Sequence, residues 1–299
     1  MREQWGKGER MRPAVGIVDT MIGFPVDHDQ LYAMMRQQLL RDRESQESFT
    51  MPASYMFHDV PEHAAEADPV AVTLAEMDRF GVDVGLVSLT AAPEAAERAL
   101  RSHPDRFVAS YTSDPNRGMD DIRDLVAAHA TWNVRAVSVF PHGLSPQVAI
   151  DAPRMYPLYA KCVELGLPLF MTVGIAGPRV PSLCQKVELL DQVMYDFPEL
   201  VLVMRHGAEP WVDLAVKLML KWPNLHYSTS AFAPRYYPRE IIEYANTRGS
   251  SRIMYGGYFP MGMSLERIMS ELDDVPFHAD VFPAFLRENA RRVLGLDPA

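Results

Sequence analysis

The stretch IMYGGYFPM, residues 253–261, decides the fold because it completes a count. A short apolar run ending in two glycines has the composition of a buried strand followed by a turn. Seven earlier runs share that character: AVGIVD (14–19), VDVGLVS (82–88), RFVASYT (106–112), VRAVSVF (134–140), LPLFMTV (167–173), LVLVMRH (200–206) and NLHYSTS (224–230). Helix-length amphipathic segments fill most of the gaps. DPVAVTLAEMDRFG spaces Val70, Leu74 and Met77 on one face and stops at Gly81, and APRMYPLYAKCVELG stops at Gly166. Eight strand–helix units in 299 residues fit an α/β chain closed as a (β/α)8 TIM barrel better than an open doubly wound sheet. No phosphate-binding glycine fingerprint follows the first strand, which weighs against a dinucleotide fold. Without repeats or linkers, residues 1–299 read as one domain.

One departure from regular alternation stands out. Residues 20–68 form a long insertion after the first strand, with YAMMRQQLLRDRESQESF and then MPASYMFHDVP. Loops after barrel strands build the active-site end, so this segment is a candidate lid, or else a packing or dimerisation arm rich in Met and aromatics. Its apolar character favours an aromatic or polycyclic ligand only if those side chains recognise rather than pack.

Composition narrows the partners. The formal charge of −10, with no block of Lys or Arg, excludes a phosphate-tracking surface, so neither nucleic acid nor an anionic membrane is expected and a small molecule is. Cys162 and Cys184 lack metal-ligand spacing and suit two buried thiols in a reducing compartment. No signal-peptide core or bilayer-length apolar stretch is present, so the expected location is cytoplasmic.

Barrel chemistry sits at the C-terminal ends of strands. Asp19 ends the first run, His142 follows the fourth, Thr172 ends the fifth, His206 ends the sixth and Tyr258 follows the eighth. His206, released by Gly207 before Glu209, Pro210 and Trp211, suits a general acid/base, a metal ligand or a loop-orienting histidine. Asp19 suits an orienting carboxylate or one bound to backbone amides, and His142 could turn inward or outward. Arg179, in GIAGPRVP, could clamp a substrate carboxylate through its bidentate fork or lie solvated. Arg205, next to His206, is expected on the opposite face, toward the helices. Glu209 and Trp211 complete the candidate substrate-contacting set with His142, Thr172 and Arg179.

Taken in order, MDRFGVDVGLVS, HPDRFVASYTSDP, LPLFMTVGIAGP, LVLVMRHGAEPW, WPNLHYSTS, RIMYGGYFPM and ENARRVLGL resemble the amidohydrolase-related barrels typified by aminocarboxymuconate-semialdehyde decarboxylase and the hydroxybenzoate decarboxylases. The resemblance spans nearly the whole chain. It implies a homodimer or larger assembly and one divalent metal serving hydrolysis, decarboxylation or hydration of small carboxylated or aromatic compounds. It also implies D-x-H-x-H at the first strand, a histidine at the fifth, the catalytic histidine at the sixth and an aspartate in a G-S-D-x-P turn at the eighth. This chain keeps Asp19 and His206 but has Met21, Gly23, Thr172 (or Val173 by a one-residue slip) and Tyr258 at the remaining places.

These substitutions fall on the metal ligands, so the expected site has no metal and no other cofactor. His206 is the expected acid/base, Tyr258 a proton donor or oxyanion partner, and Asp19 their orienting carboxylate. The chemistry would be of lyase, decarboxylase, hydratase, cyclase or hydrolase type. Two alternatives remain open: an inactive barrel that binds a small molecule or serves as a subunit, and a metal-dependent enzyme with an unusual set such as Asp19, His142 and His206.

Overall fold

Strands this rich in apolar residues need cover on both faces, which a parallel sheet wrapped by helices provides. A computed structural model of the chain describes residues 15–26, 33–47, 53–57, 60–61 and 67–296. It shows a (β/α)8 TIM barrel. All eight expected strands form: β1 (Ile17–Asp19), β2 (Val82–Ser88), β3 (Phe107–Thr112), β4 (Ala136–Val139), β5 (Leu169–Thr172), β6 (Leu202–Arg205), β7 (Leu225–Ser228) and β8 (Ile253–Met254). They lie side by side in sequence order, each parallel to the next.

Local sequence places the helices. In the helix Pro69–Phe80 the Asp68 carboxylate accepts from Val70 N and proline occupies the first turn, while Gly81 ends it at φ 70°. The helix Tyr156–Leu165 ends at Gly166 with φ 65°. Both expected stops hold.

Two side-chain layers follow from strand alternation. Val18, Leu86, Ala136, Phe170, Val203 and Met254 fill the barrel interior, closed below by Ala290 and Leu294 of the last helical segment. Alternate residues, among them Ile17, Val87, Met171 and Met204, join the larger core shared with the helices.

The seam between β8 and β1 is joined differently from the other strand pairs. Thr20 N donates to Tyr255 O at 3.4 Å and Gly23 N to Phe259 O at 2.9 Å. The Asp19 carboxylate bridges the same gap, its Oδ1 accepting from Met21 N at 2.9 Å and Gly257 N at 2.8 Å.

The described parts of the insertion include the short helices Ala33–Gln38 and Arg43–Glu47 and a single turn at Ser54–Met56. They reach the C-terminal end of the barrel, where Tyr55 Oη donates to Gly177 O at 2.7 Å and the Phe57 ring stacks on Tyr258. Residues 27–32, 48–52, 58–59 and 62–66 of the insertion, among them His58 and Asp59 of MFHDVP, lie outside the described residues. Cys162 and Cys184 are both buried thiols. Among the described residues, no helix is long and apolar enough to cross a membrane.

Candidate active site

The end of β6 builds the centre of the site. Arg205 follows Val203 onto the interior face, where Nη1 donates to Ser138 Oγ at 3.0 Å, Nη2 donates to Thr20 O at 2.7 Å, and the guanidinium carbon lies 4.4 Å from the centroid of Phe170. The expectation that Arg205 faces the helices is therefore corrected. It assumed that alternation continues through His206, but His206 has φ 63°, in the left-handed region. That turn breaks the alternation, and both side chains face the barrel mouth.

His206 sits above Arg205 among aromatic rings. Its imidazole stacks on Phe140 at 6.0 Å and meets Tyr258 edge-on at 5.7 Å. Nδ1 lies 3.4 Å from Ser230 O and 3.2 Å from Ser230 Oγ. Burial first, and the Arg205 charge second, push its pKa down to about 3, so the ring is neutral at neutral pH. The tautomer with a proton on Nδ1 satisfies the Ser230 carbonyl and leaves the Nε2 lone pair as a base.

Tyr258 meets His206 through its ring and stacks on Phe57 at 5.4 Å. Among the described residues its phenol forms no hydrogen bond to His206 or Asp19, so the contact with His206 is made by the ring alone. Burial pushes its pKa up to about 12, which keeps the hydroxyl protonated.

Asp19 lies on the face alternate to Val18 and Thr20 and clasps the seam. Burial lifts its pKa to about 6, against the backbone amides of Gly257 and Met21, the Tyr255 hydroxyl and the Arg205 charge, which all lower it. The option of a carboxylate bound to backbone amides is the one this geometry displays.

The remaining candidates separate. Thr172 is the register partner of Arg205 between β5 and β6, so both share the interior face. His142 turns inward and is buried, with Nδ1 2.7 Å from Gln185 Oε1 and its ring edge-on to Phe140 at 6.5 Å. Burial lowers its pKa. Arg179 does not offer a free fork to a substrate carboxylate: it pairs with Asp42 at 2.7 Å and Glu44 at 2.8 Å and covers the Tyr55 ring, pinning the insertion to the loop after β5. Glu209 is exposed and Trp211 half-buried, and no hydrogen bond or ring contact among the described residues joins either side chain to His206. Sequence reasoning missed Arg205, Phe140, Ser230 and Gln185. An arginine inside the otherwise apolar run LVLVMRH was the available signal for the first.

Among the described residues, the side chains at the family's ligand places are a poor fit to a divalent ion. Oδ1 of Asp19 is engaged by backbone amides and only its buried Oδ2 has no partner, while Met21, Gly23, Thr172 and Tyr258 supply a thioether, no side chain, a hydroxyl and a protonated phenol. Arg205 adds a buried cation beside Thr172, which would repel an ion there. Asp19, His142 and His206 are not gathered into an ion-holding group, and no trio of His, Cys, Asp or Glu is so gathered among the described residues. A separate cleft of about 740 Å³, lined by Arg101, Trp132, Arg135 and Gly295, contains none of the candidate groups.

An eight-stranded barrel with its polar and titratable groups at the C-terminal strand ends belongs structurally with the TIM-barrel enzymes. The chain is a member of the amidohydrolase family, whose profile matches residues 26–296. Among solved structures, an uncharacterised TIM-barrel protein of Bordetella bronchiseptica is 21% identical with TM-score 0.70, covering 94% of this chain and 99% of that one. The 5-carboxyvanillate decarboxylase of Novosphingobium aromaticivorans, complexed with manganese and 4-hydroxy-3-methoxy-5-nitrobenzoic acid, is 16% identical with TM-score 0.66, covering 96% and 97%. The 2,6-dihydroxybenzoate decarboxylase of Rhizobium is 14% identical with TM-score 0.60, covering 95% and 99%. No curated protein sequence matches the chain.

Proposed function

We propose that this chain, a member of the amidohydrolase family and so an enzyme of hydrolase or lyase kind, acts on a small carboxylated aromatic compound without a divalent metal, by proton transfer through His206. The observation that carries this reading is the end of β6, where a neutral imidazole stands among Phe140, Tyr258 and Ser230 above a buried guanidinium.

Each group has a role consistent with its chemistry. Nε2 of His206 takes or returns the proton, and Ser230 fixes the ring. Phe140 and Tyr258 flank an aromatic substrate, and the protonated Tyr258 hydroxyl donates to developing negative charge. The described part of the insertion, pinned by Arg179, lies against the mouth and limits water there. Bonds reachable by proton shuttling alone include those broken or made in hydration, elimination, decarboxylation of an activated acid and ring closure. The soluble small-molecule partner, the cytoplasmic location and the homo-oligomer belong to the same proposal. The decarboxylase neighbours support the substrate class, and the donor set supports metal independence. An inactive barrel has less reason to keep a cation buried under the histidine, since burying it opposes folding.

The test is turnover of a panel of hydroxylated aromatic carboxylates, including 5-carboxyvanillate and 2,6-dihydroxybenzoate, by chelator-dialysed enzyme with products read by mass spectrometry. Turnover should persist after chelation and fall about 10²–10⁴-fold in His206→Asn, with the melting temperature little changed. Turnover that vanishes on chelation and returns with manganese would sink the metal-free reading.

A further inference from the structure

We infer that Arg205 is the anion-holding residue of this site, taking a carboxylate of the substrate between its guanidinium and the Thr172 hydroxyl. The inference deepens the reading of the strand ends as an active site and rests on it.

The charge buried at Arg205 is unbalanced. Arg205 is 3% exposed, and every partner it touches is neutral: the Ser138 hydroxyl, the Thr20 carbonyl and the Phe170 ring. Among the described residues no carboxylate forms an ion pair with it. Asp19 is near enough for its charge to be felt, but its Oδ1 is spent on the backbone of the seam and its buried Oδ2 forms no ion pair with Arg205. A guanidinium removed from water without a paired anion opposes folding, so a purely structural role would be better served by a neutral side chain of similar length.

The unspent donors point the same way. Arg205 Nε and Thr172 Oγ1 are both buried with no hydrogen-bond partner among the described residues. They belong to register partners on neighbouring strands, so both project from the same interior face. Buried polar groups are seldom left unpaired, and a planar carboxylate accepts from a guanidinium edge and a hydroxyl together. Above them Phe140, His206 and Tyr258 form an aromatic wall, with ring separations of 6.0 and 5.7 Å from the imidazole. A cationic floor under aromatic walls fits an aromatic acid held carboxylate-down, with its ring beside His206.

The experiment compares benzoate with benzamide, which has nearly the same shape and no charge, by titration calorimetry on the full chain at neutral pH. Wild type should bind benzoate at least about tenfold more tightly than benzamide, and Arg205→Met should bring that ratio to about one. Arg205→Lys should keep only part of the preference, because a point charge lacks the fork. Thr172→Val, which preserves shape, should weaken benzoate about three- to tenfold, and it decides the matter with Arg205→Lys if Arg205→Met does not fold. A wild type with no preference for the acid, or an undiminished preference in the folded variants, would overturn the inference. His206→Asn separates it from the catalytic reading. Acid preference retained without turnover in any form leaves the anion site standing and removes the enzyme reading, whereas turnover without acid preference overturns the anion site alone.

Discussion

At the end of β6 two consecutive side chains serve one space, because the backbone at His206 enters the left-handed region at φ 63°. Non-glycine residues adopt that conformation at a cost, and such costs concentrate where a side chain must be aimed. The same crowding makes Tyr258 informative. Its ring is wedged between Phe57 and His206, whereas its hydroxyl is bonded to neither His206 nor Asp19. Tyr258→Phe should therefore keep the fold, with stability changed by no more than about 1 kcal/mol. If the phenol donates a proton in the reaction, kcat should fall about 10- to 100-fold with KM nearly unchanged. An unchanged kcat would leave Tyr258 as a wall and remove it from the proton transfer.

At the scale of elements the seam is the weak point of the barrel, because β8 contributes only two residues of regular strand. Asp19 supplements it by accepting from amides on both sides of the gap. Asp19→Ala should expose that dependence, costing about 2–3 kcal/mol in urea unfolding as buried N–H groups lose their acceptor. Asp19→Asn keeps an acceptor oxygen and removes a buried charge, so it should stay within about 1 kcal/mol of wild type. Equal losses in the two variants would show that the charge, not the acceptor, holds the seam. The eight strands were legible because each is a nearly unbroken apolar run between turn residues. The place of Asp19 was not, since adjacency of the first and last strands gives its carboxylate a backbone partner 238 positions away. Arg205 escaped for a related reason: its orientation depends on where alternation ends, and a single backbone torsion at His206 sets that. Arg179 looked like a free clamp because its partners Asp42 and Glu44 come from the insertion, far away in sequence.

Across the whole molecule, burial couples folding to pH. His206 and His226 are both pushed from an ordinary 6.5 down to about 3, each chiefly by burial. In the unfolded chain they gain protons as pH falls through 6.5, whereas in the native state they stay neutral, so acid favours unfolding. Asp19 works in the opposite sense: its native pKa is raised from 3.8 to about 6, so the folded chain takes up a proton first and gains stability as pH falls through 6. Between pH 6 and about 4 the protons gained by the unfolded histidines outnumber the one gained by native Asp19, so stability falls as pH falls, by roughly 1–3 kcal/mol per pH unit. His142, also lowered by burial, adds to the loss. Asp42, held at about 2 chiefly by the Ser45 backbone, contributes only below its ordinary 3.8 and leaves this window unaffected. Urea unfolding at stepped pH should show that slope, and His226→Gln should flatten it markedly by removing one of the histidine protons without touching the mouth of the barrel. A slope that stays unchanged in His226→Gln would mean that His226 is not the buried neutral histidine that its place in β7 makes it.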